Sequence, residues 1–175
     1  MTTVVRGLTL TVALAIFVVG GFTGFQLLTA DAGDTETTTA TCKNTVVPSG
    51  SELASNVVTV NVFNASTRSG LANRVVIDLQ KNGFLGGTIG NSTSAAKPNR
   101  VAILTDDPDD PRVKLVAAQF KNDKNDIEYA APDVTVESGI IVIVGDNYRG
   151  LKDEATTTIK SDRDIKVCVP VVPLP

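Results

Sequence analysis

The residues best placed to do chemistry lie between Asn64 and Gly70, where Asn64, Ser66, Thr67 and Arg68 crowd amide, hydroxyl and guanidinium groups ahead of a glycine. A valine-rich run precedes them and a helical pattern follows, so the segment reads as a strand-to-helix loop. Such a loop directs the unpaired N–H groups of the helix's first turn into one opening, where the helix dipole favours an anion or a polar ligand. Arg68 adds a positive charge, and Gly70 permits close backbone approach. A phosphate or carboxylate is the class of group that fits. The loop is no P-loop, because the glycine count and the phosphate-reaching lysine are missing. The competing reading is a turn in which Asn64 and Ser66 only satisfy the backbone. Tyr148 and Arg149, in a later turn, are the next candidates for a binding surface.

Catalysis has few starting points. The 175 residues include no histidine, which removes the commonest general base, the commonest zinc ligand and the Ser-His and Cys-His nucleophile pairs together. Carboxylate, Lys or Tyr chemistry would have to serve instead. Asp106, Asp107, Asp109 and Asp110 could in principle hold Ca²⁺ or Mg²⁺, but two prolines interrupt them and EF-hand spacing is absent. They read better as the solvated start of a helix, where the dipole favours negative charge. No metal, cofactor or catalytic residue is expected. With a net charge of −3 and scattered basic residues, the chain offers no electrostatic footprint for nucleic acid, and no tryptophan for stacking.

These residues need elements to position them. From Gly7 to Ala30 the chain runs 24 residues without a charge, which at about 1.5 Å per residue exceeds a hydrocarbon core of roughly 30 Å. Arg6 precedes the run and Asp31, Asp34 and Glu36 follow it, so residues 1–6 are expected in the cytoplasm, 7–28 in the membrane and the rest outside. The alternative is a cleaved signal peptide, for which Ala30-Asp31-Ala32 offers a site, but the run is long for a signal peptide's apolar region. Gly20 and Gly24 form a GxxxG pair through which two copies could pack as a homodimer. Residues 29–56 read as a Thr-rich linker and a segment carrying Cys42. Residues 152–175 read as a tail carrying Cys168. In an oxidising compartment the two cysteines are expected to pair; two buried thiols are the alternative.

Between linker and tail, residues 57–151 have the pattern of one small domain. Val57 to Phe63 reads as a strand with Val58, Val60 and Val62 on one face. Ser69 is expected to cap a helix whose Leu71, Ala72, Val75, Val76 and Leu79 recur at helical spacing, with Gly83 as its stop. Strands are expected over Phe84 to Ile89, Val101 to Thr105 and, at an edge, Ile127 to Ala130. Asp110-Pro111 should start a second helix carrying Val113, Val116, Ala117 and Phe120. The uniformly apolar Ile140 to Val144 suits a strand covered on both faces. The expected class is α/β: a small mixed-sheet domain of βαβ-ββ/βαβ type with two main helices, preceded by one transmembrane helix.

The segment from Val58 to Phe84 resembles the opening of the LytR C-terminal domain family. The resemblance rests on the valine-rich strand, Asn64 and Ser66, the Ser69-Gly70-Leu71-Ala72 helix start, and Gly83-Phe84 at the helix end. IIVIVGDNYRGL, from Ile140 to Leu151, is similar to that family's closing strand and its Gly-Asp/Ala-x-Tyr turn. In the family this domain often follows a LytR-CpsA-Psr ligase, for which the present chain has no room. A span followed by a lone copy looks like actinobacterial stand-alone members implicated in cell-envelope integrity. The resemblance therefore implies a non-enzymatic, extracytoplasmic binding or scaffolding module, with cell-wall glycans or envelope-synthesis proteins such as LytR-CpsA-Psr ligases as partners. An enzyme acting on wall polymers and a purely structural tether between membrane and wall are the alternatives.

Overall fold

The computed structural model describes residues 42–121 and 127–170, apart from the side chains of 42, 169 and 170. The expected span over 7–28, its glycine pair and the Thr-rich tract lie outside the described residues. Among those described, no helix is long and apolar enough to cross a membrane.

The described chain forms β1 (Cys42–Val47), β2 (Glu52–Ala54), β3 (Thr59–Asn64), α1 (Leu71–Lys81), β4 (Leu85–Asn91), β5 (Val101–Leu104), α2 (Pro111–Ala117), β6 (Ile127–Ala130), β7 (Ile140–Val144), β8 (Thr158–Lys160) and β9 (Ile165–Pro170). A five-stranded sheet runs in the order β4-β3-β7-β5-β6, and two smaller ladders pair β1 with β9 and β2 with β8. In the large sheet β3 is parallel to both β4 and β7, β5 is parallel to β6, and β5 is antiparallel to β7. The expected mixed sheet with two helices is therefore present.

Both helices pack on one face of that sheet. Leu71, Val75, Val76 and Leu79 of α1 and Val113, Leu115 and Val116 of α2 join Val60, Val62, Ile103 and Val142 in a single buried cluster. The right-handed crossover rule accounts for this. The β3-α1-β4 and β5-α2-β6 units run in opposite strand directions and step outward in opposite directions across the sheet, so the same hand puts both helices on the same side. The other face buries Phe63, Ala102, Leu104, Ile141 and Ile143 under Ala65, Ala96, Val134 and Val136, which belong to loops. All five residues of β7 are buried, as a strand covered on both faces requires.

Four expectations change. α2 ends at Ala117, so Phe120, though buried, lies beyond the helix in a bridge to Leu151. The cap of α1 is Gly70 in a left-handed conformation (φ 71°), with no side-chain capping bond, and Ser69 lies one residue outside it. The strand expected from Val57 is β3 and begins at Thr59, because Ser55–Val57 forms a 3₁₀ turn. The segments read as linker and tail contribute four strands. Leu53, Ile165 and Val167 from these segments are buried in the main cluster. Buried polar side chains weld them on: Ser55 Oγ donates to the Asn82 carbonyl at 2.8 Å, Asn82 Nδ2 to Gln119 Oε1 at 2.9 Å, and Gln119 Nε2 to the Thr156 carbonyl at 2.7 Å.

The acidic run behaves as a helix start. Asp110 caps α2 by accepting from the Arg112 amide at 2.7 Å, with Pro111 at the first helical position. Burial alone would raise its carboxyl, but hydrogen bonds from the Arg112 side chain and amide outweigh it and hold the group below 3.8. Asp109 pairs with Lys114 at 2.9 Å and Asp107 with Arg163 at 2.6 Å. These carboxylates are matched by cations from their own surroundings.

Candidate functional site

Strands β4, β3 and β7 run parallel, so their carboxyl ends open at one end of the sheet. β5, antiparallel to β7, begins at that same end with Val101 opposite Val144. Three connections therefore meet there: the Asn64 to Gly70 loop, the 92–100 loop and the turn that follows β7. In open sheets of this kind the carboxyl ends of parallel strands are where ligands are usually met.

The first loop is a tightly bonded turn. Asn64 Oδ1 accepts from the Ser66 amide at 2.9 Å and the Ser66 hydroxyl at 2.6 Å, while Asn64 Nδ2 donates to the Arg68 carbonyl at 2.8 Å. Ser66 Oγ in turn accepts from the Arg68 amide at 3.1 Å. These side chains bond the backbone of their own turn, as those of short polar residues in turns commonly do.

Thr67 does something else. Its amide and its hydroxyl both donate to Asp146 Oδ1 at 2.8 Å, and Arg68 Nη1 donates to the Asp146 carbonyl at 3.3 Å. Asp146 therefore joins the loop after β3 to the turn after β7. The Thr67 amide, then the Thr67 hydroxyl and the Arg68 charge, hold this exposed carboxyl below its ordinary 3.8. The turn is fixed to the third connection as well: Gly145 N donates to the Arg100 carbonyl at 2.8 Å, and Asn147 binds Asn99 through its backbone at 3.0 Å and its side chain at 2.6 Å. Gly145 has no alternative, because a Cβ there would collide with the carbonyl oxygens of Pro98 and Asn99.

Beside this clamp lies a shallow polar depression of about 400 Å³, lined by Asn64 to Gly70 together with Asn91, Ser92 and Lys97. Gly70 lies at its edge with open space on its Cβ side. Arg68 and Lys97 are the cations of the lining. Tyr148 and Arg149 stand apart from the depression. The Tyr148 ring is half-buried against the main cluster and meets Phe120 edge-on, with centroids 6.2 Å apart. Its hydroxyl is buried without a hydrogen-bond partner, and burial, then the nearby Asp78 carboxylate, push its ionisation well up. That is a core aromatic in character. Arg149 is exposed.

Sequence reasoning did not find Asp146, Asn99 and Lys97. Their signal is tertiary, since only the adjacency of β3 and β7 and the return from β4 to β5 bring them together. What the arrangement can do is hold a rigid, hydrogen-bonding surface with two cations at its rim. Among the described residues no cluster of three or more His, Cys, Asp or Glu is positioned to hold a metal ion.

Among solved structures the chain is similar to the soluble domain of a conserved hypothetical secreted protein from Mycobacterium marinum. Identity is 17% over 65% of this chain and 78% of that one, with a TM-score of 0.41. No curated protein matches it. The family model described as "LytR cell envelope-related transcriptional attenuator" matches residues 57–148, from the end of the 3₁₀ turn to the clamp after β7 and more than half of the chain, and the chain belongs to that family, the LytR C-terminal domain family.

Proposed function

We propose that this protein is a non-enzymatic, membrane-anchored module of the cell envelope whose extracytoplasmic domain binds or scaffolds wall glycopolymers or the proteins that assemble them. The observation that carries the reading is the Thr67–Asp146 clamp. With the Gly145–Arg100 and Asn147–Asn99 bonds it holds three connections at the carboxyl end of the parallel strands as one rigid polar surface, and preorganised surfaces lose little entropy on binding. Arg68 and Lys97 offer positive charge there, suited to phosphate or carboxylate groups on a polymer. The absence of histidine from the whole sequence weighs against an acid–base enzyme. The uncharged run over 7–28 supports the anchor, and Gly20 and Gly24 support pairing of two copies within the membrane.

A Cys42–Cys168 bridge belongs to the same proposal. The antiparallel ladder sets Cys42 opposite Pro170 and Asn44 opposite Cys168, so the two cysteines sit diagonally, two positions apart. Cys168 is not a free thiol, and the sequence holds only two cysteines.

The test is site-specific photo-crosslinking of the full-length chain in living bacteria. A crosslinker at Arg68 or Lys97 should capture a wall polymer or an envelope-assembly protein, and one at Asp106, at the opposite end of the sheet, should not. Equal capture from both ends would reject this face as the binding surface.

A further inference from the structure

Strand β1 is attached to the domain in an unusual way. Among the described residues it pairs with β9 alone, through six residue pairs from Cys42↔Pro170 to Val47↔Ile165. Its own side chains contribute little to the core. Lys43, Asn44 and Thr45 are exposed, Val46 is 50% exposed, and of the described side chains only Val47 packs against the main cluster. β9 is held quite differently: Ile165 and Val167 are buried, and Arg112 Nη1 donates to the Lys166 carbonyl at 3.3 Å. Immediately after β1 the chain is pinned again. The Ser49 amide donates to Asp164 Oδ1 at 2.8 Å and its hydroxyl to the Asp162 carbonyl at 2.9 Å. Gly50 N then reaches the Ser161 carbonyl at 2.8 Å, and Ser161 N returns to Ser51 O at 2.9 Å.

We propose that β1 is a strap latched by the Cys42–Cys168 bridge, with a built-in stop at Ser49. The inference rests on the bridge and the membrane anchor proposed above. A pull on the chain before residue 42 loads the β1–β9 ladder from its open end, one hydrogen-bonded pair at a time, which is the easiest way to separate paired strands. The bridge carries that pull directly to Cys168 on the strand fixed in the core. In a chain without the bridge, residues 42–48 peel away under the same pull, lengthening the connection between anchor and domain, and the separation halts where Ser49, Gly50 and Ser51 grip residues 161–164. The five-stranded sheet stays out of this motion. The latch thus sets how far the domain can stand from the membrane while leaving its fold intact.

The test compares the detergent-solubilised full-length chain with its C42S/C168S variant by hydrogen exchange and limited trypsin digestion. In the variant those amides between Asn44 and Val47 that bond β9 should exchange at least about tenfold faster, and cleavage after Lys43 should appear, while the amides of Ile141 to Val144 keep their rates within about twofold. Unchanged exchange in β1 would show that the ladder holds the strap without a latch. Acceleration of β1 and β7 alike would make the bridge a staple of the whole domain. Either result overturns the proposal. Non-reducing mass spectrometry of the wild-type chain addresses the premise separately, because two free thiols would remove the bridge itself, and the strap with it, whatever the exchange rates.

Discussion

Asn64 and Arg68 sit four residues apart in one turn and do opposite kinds of work. Asn64 uses both ends of its amide inside the turn, so Asn64→Ala leaves the Ser66 amide and the Arg68 carbonyl without their partner. It should lower unfolding free energy by about 1–2 kcal/mol in urea denaturation. Arg68 is exposed and its one side-chain bond is to a backbone carbonyl, so Arg68→Ala should stay within about 0.5 kcal/mol of wild type while crosslinking at Lys97 falls. A large stability loss for Arg68→Ala would assign that residue to the fold. Asp146 adds a dependence on acidity. Its folded carboxyl lies below the ordinary 3.8, so the clamp is complete above that value and weakens as pH falls below it toward the depressed one. The Thr67 amide resonance should titrate with a midpoint under 3.8, and the response should vanish in Asp146→Asn. Titration at or above 3.8 would mean that the Thr67 bonds do not favour the charged form.

The elements are joined by more than apolar contact. Gln119, completely buried just past α2, accepts from Asn82 past the end of α1 and donates to Leu115 O and Thr156 O. It ties the ends of both helices to the segment before β8. Gln119→Leu fills similar space but strands the Asn82 amide and the Thr156 carbonyl, and should cost about 1–3 kcal/mol in chemical denaturation. Asn82→Ala combined with it should cost less than the sum of the two single changes, because both remove the same bond; strict additivity would show that the bond contributes nothing. At the edge, β4 carries a bulge between Val60 and Val62 of its neighbour, where Gly87 and Thr88 face the buried Asn61. Asn61 Oδ1 accepts the Thr88 amide at 2.8 Å and its Nδ2 donates to the Ser138 carbonyl at 2.7 Å, so the Thr88 amide finds a partner at the irregularity. Gly87 is required by this packing, since a Cβ would overlap the Asn61 side chain. Bulges of this kind also blunt an open sheet edge.

At the scale of the whole molecule, the family match ends at residue 148, yet the fold continues to β9 and begins before β2. A fragment of residues 57–151 would lose Leu53, Ile165 and Val167 from the core together with the Ser55 and Thr156 ends of the buried polar chain. It should give a poorly dispersed NMR spectrum, whereas a fragment of residues 42–170 should give a dispersed one and unfold cooperatively; a well-folded 57–151 fragment would show that the terminal strands are accessory. The sequence by itself determined the elements with strong local periodicity: the valine strand, the buried faces of both helices, the Asp110-Pro111 start of α2, and the five apolar residues of β7. Period 2, period 3.6 and capping chemistry are local properties, and burial reinforces them wherever every position agrees. Only the tertiary structure decided the rest. The terminal strands are short and mixed in composition, with a pairing partner more than a hundred residues away, so no local pattern announces them. The role of Thr67 was decided in the same way, by a carboxylate 79 residues distant that reaches it because β3 and β7 are neighbours.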